Sequence, residues 1–169
     1  MNKIKSLFIA LIISSLGVAS AAGLSVTKSA KNPSASKFAS DFFEETVLAF
    51  KIKNTSDKKI KFRHVNLKLN GNIQSNEDFV FGFRYRGYVY ESKVTESREA
   101  KMNGGTRLQT RRPITLKPGQ EEEYTIVLNS PLKKGVAAGK SFTVSLTGIE
   151  TFKGEPSTGL PLTSASFSL

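Results

Sequence analysis

Val47-Leu-Ala-Phe-Lys-Ile-Lys-Asn-Thr-Ser-Asp-Lys-Lys-Ile-Lys-Phe-Arg63 decides the fold. Leu48, Phe50 and Ile52 alternate with Ala49, Lys51 and Lys53. After the polar turn Asn54-Thr-Ser-Asp57, Ile60 and Phe62 alternate with Lys59, Lys61 and Arg63. A period of two sends one set of side chains inward and the other toward water, the signature of a half-buried strand. The same period recurs at Val65, Leu67 and Leu69, at Phe79, Phe81 and Phe83, and at Tyr124, Ile126 and Leu128. It returns at Phe142, Val144 and Leu146, and at Ala165, Phe167 and Leu169. No segment sustains a helical period. Turn chemistry separates the runs at Asn70-Gly71, Arg86-Gly87, Asn103-Gly-Gly105, Pro118-Gly119 and Gly154-Glu-Pro156,. The pattern predicts an all-β, antiparallel immunoglobulin-like β-sandwich of about seven to nine strands. Its expected core is Leu48, Phe50, Ile52, Phe62, Val65, Leu67, Phe81, Ile126, Leu128, Phe142, Val144 and Leu146. Ile60 and Phe62 are even-numbered whereas Val65, Leu67 and Leu69 are odd, so a bulge or a bend is expected near Arg63-His64,.

The first residues read differently. Lys3 and Lys5 make a positive start, residues 7–18 form a nearly unbroken apolar run of 12 positions, and Ala19-Ser20-Ala21 is an A-x-A site. That order predicts a cleaved secretory signal peptide over residues 1–21. A bilayer-spanning helix needs about 20 apolar residues, so a retained anchor is the weaker alternative. Export to a periplasmic, cell-surface or extracellular location is the expectation. Removing 21 of the 169 residues leaves 148, one ordinary domain,. Residues 22–44 read as a flexible lead-in with one edge strand around Leu24 and Val26, and residues 45–169 as the sandwich. The chain has no Cys, which excludes disulfides and a lipid-modified N-terminus, and no later apolar stretch of membrane-spanning length follows.

Two stretches together carry a resemblance. Residues 47–60 have the form of strand, N-T-S-D turn and strand. Leu116-Lys-Pro-Gly-Gln-Glu-Glu-Glu-Tyr-Thr-Ile-Val-Leu128 sets an L-x-P-G-x turn before an alternating strand. The pairing resembles the immunoglobulin-like sandwich modules of bacterial secreted and cell-surface proteins. The resemblance implies that fold and an extracytoplasmic setting, with adhesion, spacer or ligand-binding roles and usually no catalysis. It transfers no site residues, because the match lies in turns and core positions.

Candidate binding groups come from charge. The net charge of +11 falls to +9 once Lys3 and Lys5 leave with the signal. A basic exported protein is drawn to anionic envelope polymers, with another envelope protein as the alternative partner and no specific nucleic acid. If residues 47–53 and 59–63 pair as a hairpin, Lys53 lies opposite Lys59 and Lys51 opposite Lys61. Such a like-charged ladder invites an anion or protects an edge. If the two strands arch between different sheets, the lysines disperse. A second cluster, Arg84, Tyr85, Arg86, Tyr88 and Tyr90, puts basic and aromatic groups at one turn. The irregular segment 91–112 carries Arg98, Lys101, Arg107, Arg111 and Arg112 and reads as a binding loop or a disordered one. The binding set is therefore Lys51, Lys53, Lys59, Lys61, Arg63, Arg84, Arg86, Tyr88, Arg111 and Arg112.

No catalytic residue, metal ligand set or cofactor motif is expected. His64 is the single histidine and no G-x-S-x-G elbow occurs. Glu121-Glu122-Glu123 reads as surface charge answering Arg111 and Arg112. Asn54-Thr-Ser56 fits a glycosylation sequon but is equally a good turn. The function expected is a non-enzymatic structural or binding role at the cell envelope. The alternative is a surface-fibre subunit whose residues 22–40 or terminal strand complete a neighbour's sheet. A small outer-membrane barrel fits poorly with outward lysines.

Overall fold

The computed structural model describes residues 22–37, 44–71, 80–85, 88–91, 105–129 and 141–168. Among them there is no helix. The strands are β1 (Leu24–Lys28), β2 (Ser36–Lys37), β3 (Glu44–Asn54), β4 (Ile60–Gly71), β5 (Val80–Tyr85), β6 (Tyr88–Glu91), β7 (Gly105–Leu116), β8 (Glu121–Asn129), β9 (Ser141–Thr151), β10 (Ser157–Thr158), β11 (Leu162–Thr163) and β12 (Phe167–Ser168). Eight run four residues or longer and four are two-residue bridges. Phe79, Arg86, Leu169, residues 92–104 and residues 1–21, where a signal peptide was expected, lie outside the described residues.

The strands form two sheets, β10-β1-β3-β8-β5-β6 and β2-β12-β9-β4-β7, with β11 also paired to β9. In chain order β1, β3, β4, β5, β8, β9 and β12 take the places of strands A to G. One sheet then reads A-B-E-D and the other G-F-C, the strand order of an immunoglobulin-like sandwich,. β7 adds a strand on the free side of β4. β11 and β12 are two pieces of one interrupted last strand, both running beside β9.

Consecutive strands β3 and β4 lie in different sheets. The turn between them is therefore an arch. No Lys53–Lys59 or Lys51–Lys61 ladder exists. Lys51 stands opposite Glu123 and Lys53 opposite Glu121 on β8. The expected phase slip is present: register shifts between Phe62 and His64 on both neighbours of β4. Opposite it, residues 110–113 of β7 form a bulge between the Gln109 and Ile114 pairs. The bulge lets Ile60, Phe62, Val65 and Leu67 all face inward despite their change of parity.

All twelve expected core residues are buried. Tyr124 is their hub. It stacks on Phe83 at 5.3 Å, on Tyr85 at 5.1 Å and on Phe50 at 5.9 Å, and meets the edge of Phe62 from the opposite sheet at 6.0 Å. Aromatic pairs at these separations contribute beyond their area.

The strand expected around Leu24 and Val26 is present as β1. Leu24 and Val26 are buried, and β1 is hydrogen-bonded to β3 along its length and to β10 at its start. β10 covers Leu24 and Ser25, and residues 26–28 pair with β3 alone at the edge of the sheet. Apolar side chains at only two alternating positions are enough to seat β1, because each fills the gap between the sheets.

Candidate functional site

Lys51, Lys53, Lys59, Lys61 and Arg63, expected as one stripe, are divided between the sheets. On the first sheet Lys51 Nζ lies 3.0 Å from Glu121. Glu123 accepts from Lys31 at 2.7 Å and from the Ser29 hydroxyl, and these two bonds hold its carboxyl below its ordinary pKa. Glu121 therefore answers Lys51, and Glu123 answers Lys31. Arg84 is paired with Glu44 across β8. Arg63 donates to the Thr110 carbonyl at 3.2 Å. Arg112 is exposed, Tyr88 faces Tyr85 in the β5–β6 register, Arg111 lies in the β7 bulge, and Arg86 lies outside the described residues.

A polar network occupies the outward face of the second sheet. The Arg107 guanidinium donates to Glu150 and lies 3.2 Å from His64 Nδ1, and Asn66 donates to Glu150 at 3.0 Å. Gly148 leaves room for Asn66, whose amide would stand 3.2 Å from an added Cβ. Burial, then the Arg107 charge, keep the His64 pKa below its ordinary value. Burial pushes the Glu150 carboxyl up, but the hydrogen bonds from Arg107 and Asn66 outweigh it and leave its pKa lowered. The network is internally satisfied, which suits surface cross-linking of three strands rather than chemistry. No group of His, Asp or Glu among the described residues could hold a metal.

Several lysines outside these ion pairs gather at one end of the sandwich. Three turns meet there: residues 54–59, 117–120 and 152–156. Asn54 ties two of them. It is fully buried, its Nδ2 donates to the carbonyls of Lys58 at 2.7 Å and Leu116 at 3.0 Å, and its Oδ1 accepts from Ser56 N at 2.9 Å and Ser56 Oγ at 2.8 Å. Its backbone bonds Gln120 and Gly119, both at 2.9 Å. A side chain so enclosed is no glycosylation acceptor in the folded protein.

Ile60 pairs with Leu116 at the end of the β4–β7 ladder and points inward, and Lys59 and Lys117 are the next residues beyond that last pair. Lys61 is outward on the same strand, and its carbonyl accepts from Phe152 N at 2.9 Å. Lys117, Lys59, Lys61 and Phe152 thus cross the ends of β7, β4 and β9 in one strip, with Lys58 and Lys153 flanking it. All are exposed, and Lys58, Lys59, Lys61 and Lys117 join no ion pair among the described residues. The acids at this end are Asp57, exposed, Glu121, which pairs with Lys51, Glu122, which accepts from Gln120 at 2.8 Å, and Glu155. Burial acts to raise the Glu155 carboxyl, but hydrogen bonds from Thr151 and from the turn's own backbone leave its pKa lowered. Beside the strip a cleft of about 620 Å³ is lined by Tyr85, Thr115, Lys117, Pro118, Gly119 and Gln120. Lys59 and Lys61 were legible as outward lysines. Lys117, Lys58 and Phe152 were not singled out, because only the cross-strand register brings them together.

No protein-family model and no curated protein matches the chain. Among solved structures it is similar to the ASH, or PapD-like, domain of human CEP192 (PapD-like domain 7), at 10% identity and a TM-score of 0.31. The match covers 97% of this chain and 95% of that one. The immunoglobulin-like assignment rests on the strand order.

Proposed function

We propose that this chain is an exported, non-catalytic immunoglobulin-like module that adheres to an anionic surface of the cell envelope through the lysine-bearing end. The observation that carries the reading is the gathering of Lys58, Lys59, Lys61 and Lys117 near the ends of β4 and β7, with no ion pair to any of them among the described residues. Like charges gathered at one end of a sandwich repel one another, and an anion that neutralises them relieves that repulsion. The signal-like start supports export. Non-catalytic action is supported by the single histidine being held by Arg107 and Glu150. The fibre-subunit alternative is less well supported, since Leu24–Lys28 and Phe167–Ser168 are seated in the chain's own sheets.

Retention on heparin tests the reading. Lys59→Glu with Lys117→Glu is expected to lower the eluting salt concentration well below that of the intact chain. Lys28→Glu with Lys68→Glu makes the same change in net charge elsewhere. Lys68 is seven residues from Lys61, about 23 Å along the strand, and exposed charges are screened within about 8–10 Å. Equal losses in both pairs would reduce the effect to net charge and refute a localised site.

A further inference from the structure

Phe152 is the exposed large hydrophobic side chain among the described residues, with 60% of its surface open. It sits in the strip of lysines, not on a sheet face where a neighbouring strand could cover it. Its turn is braced: Gly154 N bonds the Thr151 carbonyl, the Thr151 hydroxyl bonds the Glu155 carbonyl at 3.3 Å, and the Lys153 amide bonds the Glu155 carboxylate at 3.3 Å. The ring is thus presented by fixed backbone between Lys61 on one side and Lys153 on the other.

We infer that the anionic surface met by this end is a lipid bilayer, with Phe152 entering the headgroup boundary and Lys58, Lys59, Lys61, Lys117 and Lys153 contacting anionic headgroups. The inference rests on the proposed function and narrows it to one partner class. A soluble or wall-bound polyanion would be served by the lysines alone and gives the exposed ring nothing to bury against. A bilayer serves both, since interfacial binding adds apolar burial to attraction for anionic lipid. The chain also enters the domain here. Gly23 packs so closely on the Pro156 carbonyl that an added Cβ would stand 2.2 Å from it, and Leu24 begins β1 beside Asn54. The described chain therefore enters the sandwich at the same end as Phe152.

The chain has no Trp, so Phe152→Trp places a single reporter at the tip. Cosedimentation with phosphatidylcholine vesicles, with and without phosphatidylglycerol, is measured alongside heparin retention. The expected result is binding to the phosphatidylglycerol vesicles that weakens with salt, and a blue shift of the Phe152→Trp emission on binding. Phe152→Ser should lower vesicle affinity by about tenfold while leaving heparin retention and thermal unfolding unchanged. An unshifted emission in the bound protein, or vesicle binding unaffected by Phe152→Ser, would overturn the insertion of this ring. Heparin retention without vesicle binding would overturn the lipid inference and leave the polyanion reading standing. Loss of both would overturn the reading beneath it.

Discussion

Replacing Asn54 by Ala should be among the most costly polar substitutions in the chain. The side chain makes four hydrogen bonds, two from Nδ2 to the carbonyls of Lys58 and Leu116 and two from Ser56 to Oδ1. A hydrogen bond contributes about 0.5–1.5 kcal/mol net, and a buried group left without its partner costs about 1–3 kcal/mol. The partners at Lys58 and Ser56 lie near water and can be resolvated, whereas the bond to Leu116 is buried. The loss is therefore about 3–4 kcal/mol, a substantial part of the roughly 5–15 kcal/mol expected of a whole domain. At about 2–4 °C per kcal/mol for a chain of this size, the melting midpoint should fall by about 10 °C. Urea unfolding followed by circular dichroism is the assay, with an unchanged m-value showing that only stability has moved. Thr55→Ala is the comparison. The exposed Thr55 hydroxyl bonds only Gly23, donating at 3.0 Å and accepting at 3.2 Å, and its loss should cost about 1 kcal/mol. An Asn54→Ala protein no less stable than Thr55→Ala would refute the reasoning that one buried amide joins the two turns.

Other outcomes follow from the same geometry. Gly23→Ala should destabilise by about 1–3 kcal/mol, seen as a lower urea midpoint, because the added Cβ would meet the Pro156 backbone, which cannot swing aside. Phe50→Ala should cost about 3–5 kcal/mol, since it removes a fully buried ring from the Tyr124 cluster. Stability should fall as pH drops. The folded His64 binds its proton less readily than the unfolded one, so its contribution is complete above its ordinary value of 6.5 and is lost as pH falls through the lowered one,. Glu150, also lowered, contributes fully above its ordinary value of 4.5, and that contribution is lost further down,. His64→Gln should remove the upper stage of the melting-temperature profile and leave the lower one.

Alternation made the core legible because both sheets bury one face of each long strand. The twelve inward residues and the slip at Arg63 could be read from parity alone. Two features could not. The turn Asn54-Thr-Ser-Asp57 suits a hairpin and an arch equally well, and only the sheet assignment of β3 and β4 separates them. β7 was hidden inside a segment read as a loop, because the bulge at 110–113 and Pro113 interrupt its alternation between Leu108 and Ile114. With β7 unrecognised, Lys117 had no neighbour to be compared with. The partners of Glu121 and Glu123 were not legible for the same reason, since pairing of β3 with β8 is a matter of register over a long stretch of chain. Candidate sites made of cross-strand neighbours are poorly legible by nature, because each strand reports its own faces and nothing about which strand lies beside it.

Among the described residues, β5 and β6 are the single pair of consecutive strands that hydrogen-bond to each other. Every other ladder must wait for a distant segment; Lys53 meets Glu121 and Leu24 meets Ser157 only after long loops have closed. Such wiring gives no early native-like fragment and sets assembly on the millisecond-to-second scale. On the export route proposed above, in which the chain would cross a membrane in extended form, that delay would keep it loose until both halves of every ladder had crossed.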